Sequence, residues 1–454
     1  MAMTIQEQID NARKALEQIK DYTQEQVDKL VYESAKIIYK NAEPLAKMAV
    51  EETELGSVED KIGKNTGTPT VFYDYLKDKK SVGIIREVPE EGYMDVAHPI
   101  GVIAAITPAT NPTVTPLGNF MHAIKGKNAL VITPSPRAEK TTTRTINLIR
   151  EALAKAGAPE NLIQVVENTS VQKSQELMAL ADLVVATGGP GLTKAAYSSG
   201  TPAYGVGPGN PPVILDRDYD LDAAAKMTVV AVGSDNGILC DGDNQLLYPE
   251  ELESKFFDAL KKAGFIVFDQ KADVDKFRET MFPDGKMNLD LLGKDAPVIA
   301  KAAGLSVPES TKVIAFKIEA IGTKEVLSKE IMGPVLMLKS YSTFEEAVDM
   351  AITNMVESGG IGHTAGVFTN NQAHIRYAGE RIPVARLLIN QPTPDAWGPA
   401  TNCLSPAVSE SCGSWGNNIN IEGGNVDYIH LINVSKVVMP LNKEEPDPVK
   451  IFGE

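Results

Sequence analysis

The chain reads as an α/β protein with parallel sheets in two successive blocks. Three observations predict this: short apolar runs alternate with amphipathic helical segments, the alternation restarts after about residue 220, and 43% of the 454 residues are hydrophobic. Strand, helix, strand repeated in this way places helices on both faces of a parallel sheet. Such sheets bind ligands at the carboxyl ends of their strands. A chain of this length buries two or three substantial cores.

From Thr4 to about Glu54 the pattern is helical, with Ile5, Ile9, Ala12, Leu16 and Ile19 on one face and Val27, Leu30, Val31, Ala35 and Ile38 on the next. Thr4 is a candidate cap, and Thr23 with Gln26 has the form of a capping box. Residues 81 to 106 hold two strand-like runs around Pro89-Glu-Glu-Gly92, a hairpin suited to oligomerisation. Strand-like runs follow at Val102–Ile106, Ala129–Thr133, Ile163–Val166, Leu183–Ala186 and Val213–Leu215, with helical segments at 113–124, 140–156, 171–181 and 192–198. The second block, from about 223 to 410, repeats the alternation in Gln245–Tyr248, 250–263, Val313–Phe316, Val335–Ser340, 343–354 and Ala365–Phe368. Its opening helix, 221–232, leads into a cysteine-bearing run. Ile429–Val438 returns to strand-like composition before a polar end beginning at Asn442. The chain shows no internal repeat and no low-complexity segment.

Composition excludes several classes. Lys and Arg total 44 against 60 Asp and Glu, and a net charge of -16 argues against nucleic acid or a membrane surface as partner. No run approaches 18 apolar residues and the N-terminus lacks a signal-peptide pattern. The three cysteines, at 240, 403 and 412, form no CxxC pair and no even framework, which fits a reducing cytoplasm and predicts no metal site.

Ser234-Asp-Asn-Gly-Ile-Leu-Cys240 sets a cysteine just after a glycine turn. A thiolate is the side chain best suited to attack an aldehyde carbon and hold the product as a thioester. A lone cysteine is more often a small buried hydrophobe, so the run by itself does not decide. Thr187-Gly-Gly-Pro-Gly-Leu192 follows a strand-like run and precedes a helix, where glycines let backbone approach a pyrophosphate. It does not match GxGxxG, and taken alone it reads more often as an ordinary turn; Gly205-Val-Gly-Pro-Gly-Asn210 is as ambiguous.

Seven strings in register are more specific: ITPATNP (106–112), ATGGPG (186–191), GVGPGN (205–210), SDNGILC (234–240), KEIMGPV (329–335), GHTAG (362–366) and CGSWGNN (412–418). Together they resemble the coenzyme A-acylating aldehyde dehydrogenases, especially the succinate-semialdehyde enzymes and the aldehyde half of bifunctional alcohol-aldehyde enzymes, over residues 5 to 440. The resemblance implies the aldehyde dehydrogenase fold: a Rossmann-like cofactor domain (1–222, with the hairpin at about 81–100), an α/β catalytic domain carrying Cys240 (223–424), and a return strand and tail (425–454). It implies Cys240 as nucleophile, with the Asn111 amide and the Cys240 N–H stabilising the oxyanion. Glu330 would hold the nicotinamide ribose, Gly188 and Gly189 the cofactor phosphates, and Thr133, Pro134, Ser135 and Arg137 the adenosine. Gly207 joins the cofactor-binding set, and His363 would move a proton or position coenzyme A. The cofactor is NAD or NADP, with coenzyme A as cosubstrate, in a homodimer or homotetramer.

One departure from the hydrolytic members is informative. Where those carry a water-activating glutamate, this chain reads Gly205-Val-Gly-Pro, so thiolysis by coenzyme A is the expected second step. After the nucleophile stands Asp241-Gly-Asp-Asn-Gln245 rather than the Cys-Ser-rich continuation of the succinate-semialdehyde relatives. Two acids there would repel an anionic tail unless they point away. Arg386 is a candidate partner for such a tail, although its place before Leu387-Leu-Ile-Asn390 also suits a structural role. Expected aldehydes are succinate semialdehyde or sulfoacetaldehyde, with acetaldehyde or propionaldehyde as the alternative. A hydrolytic enzyme and a non-catalytic binding protein are the rival readings.

Overall fold

The computed structural model describes residues 3–416, 418–420, 423–441 and 443–453. Asn417 of the CGSWGNN string and Asn442 at the start of the polar end lie outside the described residues. Four helices open the chain, Ile5–Ile19, Gln24–Lys40, Ala42–Thr53 and Val58–Leu76. Thr4 and Thr23 each complete a capping box, with Glu7 and Gln26. Each cap contributes about 1 kcal/mol by satisfying amides the helix leaves unpaired. The fourth helix was not expected, because Gly63, Gly67 and Pro69 make its sequence look like a loop.

The first sheet has five parallel strands. Val102–Thr107 lies at its centre, flanked by Ala129–Pro134 and Ile163–Val165 on one side and by Leu183–Thr187 and Ala203–Val206 on the other. In chain order this is 3-2-1-4-5, so the connections reverse direction between the first strand and the fourth. Every residue of Val102–Thr107 is buried, since helices cover both faces, and this explains an uninterrupted apolar run where a half-solvated strand would alternate. Burying each Val or Ile there is worth roughly 1.5–3 kcal/mol.

The second sheet has seven parallel strands in the order Phe265–Phe268, Val313–Lys317, Val335–Tyr341, Gln245–Pro249, Pro212–Leu215, Gly362–Phe368 and Val384–Ile389. Pro212–Leu215 corrects the expected division at residue 222. It pairs with Gln245–Pro249 and Gly362–Phe368, so the first sheet ends at Val206 and the crossing comes earlier. Alternation reveals a strand but carries no information about which sheet it joins. A third sheet is antiparallel: Gly83–Val88, Tyr93–Pro99 and Ile432–Val438. A two-stranded antiparallel ribbon pairs Glu410–Cys412 with Gly423–Asn425. No helix among the described residues is long and apolar enough to cross a membrane.

Candidate active site

The helix Leu221–Gly233 ends at Ser234, and the chain then turns through three left-handed residues, Asp235 (φ 49°), Asn236 (φ 55°) and Gly237 (φ 67°). Asp and Asn tolerate this region better than other side chains, and Gly at no steric cost. Tertiary bonds hold the turn. The buried Asp235 carboxylate accepts from the Ser57 N–H (3.0 Å), Lys61 Nζ (2.9 Å) and Lys64 Nζ (2.6 Å), while its own N–H donates to Asp60 (3.1 Å). Burial works against ionisation of Asp235, but Lys64 and Lys61 overcome it and hold the carboxyl below its usual range. Burial, with repulsion from Lys64, lowers Lys61 to about 8.

Lys64 also donates to Asn111 Oδ1 at 2.8 Å. The bond occupies the amide oxygen, and the NH2, with no acceptor among the described residues, is left as a donor. Asn111 and Cys240 line one cavity of about 350 Å³, together with Lys64, Asp235, Asp241 and Glu410 and an apolar wall that includes Val114, Leu239 and Trp397. The backbone of Cys240 is pinned from below at Gly209, where any Cβ would overlap the Cys240 carbonyl. The Cys240 side chain is part-buried. Burial first, then the charges of Asp241, Glu410 and Glu330, push its thiol above the ordinary cysteine range.

Asp241 and Glu410 are both buried and both line this cavity. Burial and the Glu410 charge push Asp241 well up; burial also raises Glu410 against the pull of Arg386. Arg386 is fully buried, its Nε 3.6 Å from Glu410 Oε2 and its other nitrogens donating to the carbonyls of Ser411 and His363. It does not line the cavity, so it is a structural cation rather than a partner for a substrate tail. Asp243 points the other way, accepting from Thr393 at 2.5 Å, and burial raises its carboxyl to about 7. Of the two acids after the nucleophile, one faces the cavity and one does not. Asp241 is thus the acid after the nucleophile that does not point away, and Glu410 joins it on the lining.

Position 205 behaves differently. A Cβ at Gly205 would overlap the Tyr197 hydroxyl. The Gly205 N–H donates to Asn420 Oδ1 (2.8 Å), and Asn420 Nδ2 donates to Tyr197 Oη (2.8 Å) and to the Gly205 carbonyl (3.1 Å). No side chain can stand there without displacing this network.

A second cavity, of about 390 Å³, lies at the carboxyl ends of the first sheet, where its connections reverse direction. Thr107, Pro134, Ser135, Thr187 and Gly188 line it, and the helix Pro190–Tyr197 begins at its edge with Gly189 as cap. Three buried hydroxyls at the ends of adjacent strands, Thr107, Thr133 and Thr187, have no hydrogen-bond partner among the described residues. Unpaired buried hydroxyls at a switch point, next to a glycine-opened helix N-terminus, fit the sugar and phosphate oxygens of a dinucleotide. Arg137 is exposed, is not on the lining, and donates to the Thr53 carbonyl at 2.9 Å. Gly207 lies instead on a third cavity, of about 520 Å³, with Pro190, Tyr197, Gly360 and Cys412. Glu330 borders a small void beside Leu239 and Asp243, close enough to Cys240 to raise its thiol, and burial brings Glu330 itself to about 8.

His363 is fully buried on Gly362–Phe368 and does not line the Cys240 cavity. Its Nδ1 meets Thr364 Oγ1 at 3.0 Å, Nε2 is without a partner among the described residues, and burial and Arg386 keep the ring neutral. Sequence reasoning missed Lys61, Lys64 and Glu410. Ser57 and Asp60, which cap each other at the start of Val58–Leu76, were the available signal for the lysines. Glu410 had none.

The family model for the aldehyde dehydrogenase family matches residues 1–267 and 322–400. The chain belongs to that family. It is 47% identical over 446 residues to the succinate-semialdehyde dehydrogenase (acetylating) of Clostridium kluyveri, covering 98% of each chain. An acetylating aldehyde dehydrogenase from Geobacillus thermoglucosidasius superposes with a TM-score of 0.92 at 34% identity, covering 98% of each chain. A propionaldehyde dehydrogenase from Rhodopseudomonas palustris, solved with bound coenzyme A and an acylated cysteine, superposes with a TM-score of 0.86 at 26% identity over 97% of this chain and 98% of that one. The chain is an NAD(P)-dependent acylating aldehyde dehydrogenase, and these relatives share its parallel-sheet architecture.

Proposed function

We propose that Cys240 attacks an aldehyde in the 350 Å³ cavity and that coenzyme A then takes the acyl group from its sulfur, the reaction running in either direction. The observation that carries this reading is the shared cavity of Cys240 and Asn111, with Lys64 holding the amide oxygen so that the NH2 is free for the developing oxyanion. A bound dinucleotide, NAD or NADP, would supply the hydride acceptor. Thr107, Thr187, Gly188 and the Gly189 cap are the residues proposed to hold it, with Thr133 as a further hydroxyl at the strand ends. Engagement of Arg137 by Thr53 gives no support to a dedicated 2'-phosphate site. Glu330 and Gly207 are secondary candidates for the ribose and the nicotinamide region, whereas His363, fully buried and off the Cys240 cavity, has no such support as a coenzyme A contact.

Thiolysis rather than hydrolysis is supported by the Tyr197–Asn420 network at Gly205, which fills the place of a water-activating side chain. Succinate semialdehyde is the proposed substrate. Support comes from the 47% identical relative. Exposed Val434, Val437 and Val438 on the antiparallel sheet support a homodimer or homotetramer.

The test is a two-stage turnover. Incubation with succinate semialdehyde and NAD or NADP, without coenzyme A, is expected to leave an acyl adduct on Cys240 by intact-protein mass; added coenzyme A should then release succinyl-coenzyme A. Steady formation of free succinate without coenzyme A would overturn the acylating reading for this chain.

A further inference from the structure

Resting on the reading of Glu330 as a contact for the cofactor ribose, we propose that Asn244 and Asn210 are positioning residues for the hydride step, a pair of buried amides that holds Glu330 to the segments carrying Cys240. The Asn244 carboxamide brackets Glu330. Its Oδ1 accepts from the Ile331 N–H at 2.9 Å and its Nδ2 donates to the Lys329 carbonyl at 3.1 Å, so the chain on both sides of Glu330 is tied to one planar group. Nδ2 also donates to Asn210 Oδ1 at 2.5 Å, and Asn210 Nδ2 donates to the Ser328 carbonyl at 2.8 Å. A carboxamide can accept and donate in this way, whereas a carboxylate would set oxygen against the Lys329 carbonyl.

Both asparagines stand on the frame of the nucleophile. Asn244 comes four residues after Cys240, and Asn210 follows Gly209, the residue packed against the Cys240 carbonyl. The turn before Cys240 meets the far side of the same segment, since a Cβ at Gly237 would lie 2.1 Å from the Gly333 carbonyl. Leu239, Asn244, Glu330 and Gly333 border one small void. A shift of Lys329–Ile331 therefore moves Glu330 relative to Cys240. Asn210 and Asn244 are buried, so loss of either leaves polar backbone groups of that segment without partners. Neither lines the Cys240 cavity or the switch-point cavity, so each acts through Glu330 and not by touching aldehyde or dinucleotide. Hydride transfer is sensitive to such a displacement, because a misplacement of about 1 Å between reacting groups costs about 100-fold in rate.

The experiment is a double-mutant cycle on the full chain, read by the Kd for NAD or NADP from fluorescence titration and by the single-turnover rate of dinucleotide reduction with succinate semialdehyde. Glu330→Gln is expected to raise the Kd by about tenfold, and Asn244→Ala by about fivefold with a fall in the single-turnover rate of about tenfold or more. Combined, the two substitutions are expected to do no more than Glu330→Gln alone, within about twofold. Should Asn244→Ala not fold, Asn210→Ala enters the same cycle and is judged by the same criterion. A wild-type Kd and rate in the asparagine variant overturn the proposal. So does a loss that adds in full to that of Glu330→Gln, which would make the amides a general support of the fold. Glu330→Gln without effect on the Kd overturns instead the reading of Glu330 on which the proposal rests.

Discussion

The two cavities are built in opposite ways. The one at the switch point is formed by consecutive strand-helix units of a single sheet, its polar groups are hydroxyls, the Gln175 amide and backbone, and no charged side chain among the described residues lines it. The cavity at Cys240 draws on Val58–Leu76, on Asn111, on the turn before Cys240 and on the ribbon strand Glu410–Cys412, and its lining carries Asp60, Lys64, Asp235, Asp241, Asp395 and Glu410. A large polyanionic cofactor can be held by many weak neutral donors, each contributing little. Covalent chemistry at one atom needs a few groups whose charge and orientation are set by their neighbours.

The comparison is broken most severely by Cys240→Ala. Dehydrogenase activity is expected to drop by about a thousandfold or more while dinucleotide affinity, read by fluorescence titration, changes by less than about twofold. Equal losses of both would show that the two cavities are one functional unit. Asn111→Ala should reduce kcat by about 100-fold to 1,000-fold through the lost oxyanion donor, again with cofactor affinity intact. Lys64→Met acts one step further out: it frees the Asn111 amide to rotate, and a loss of about tenfold in kcat is expected. An unchanged kcat in that variant would remove Lys64 from the account of how Asn111 is oriented.

Alkylation sharpens the electrostatic side of the contrast. Burial, with the neighbouring acids Asp241, Glu410 and Glu330, holds the Cys240 thiol above its ordinary range, so thiolate is scarce at pH 7 and increases with pH. Iodoacetamide is therefore expected to label the exposed Cys403 before Cys240, with labelling of Cys240 still rising above about pH 9. Faster labelling of Cys240 at neutral pH would place a cation beside its sulfur that this arrangement lacks. The smallest effect belongs to the neutral cavity. Thr187→Val removes one hydroxyl among several, and an increase of about twofold to tenfold in the cofactor KM is expected with kcat preserved.

Much of the fold was legible because burial imposes a period on local sequence. The strands Val102–Thr107, Ala129–Pro134 and Leu183–Thr187 follow apolar runs, and Thr23 with Gln26 marks a helix start that the structure contains. Ala203–Val206, with only two apolar residues flanking Tyr204 and Gly205, was missed, as were Phe265–Phe268 and the helix Val58–Leu76. In the site, Cys240 and Asn111 were reached through ordered strings and found on one cavity wall. His363, carried over by the same strings, lies buried behind that wall, since a string records order along the chain and not the direction of a side chain.

The sequence by itself determined the alternating parallel architecture, the family, and the presence of a glycine where a hydrolytic relative has an acid. These depend on burial period and on residue identity at one position, both local properties. Only the tertiary structure decided that Asp241 faces the cavity and Asp243 faces Thr393, that Arg386 is spent on Glu410, and that Lys61 and Lys64 hold the turn before Cys240. Charge pairing and the orientation of side chains are set by segments that lie from 24 residues apart, for Arg386 and Glu410, to 174 apart, for Lys61 and Asp235, and no local pattern encodes which of them will meet.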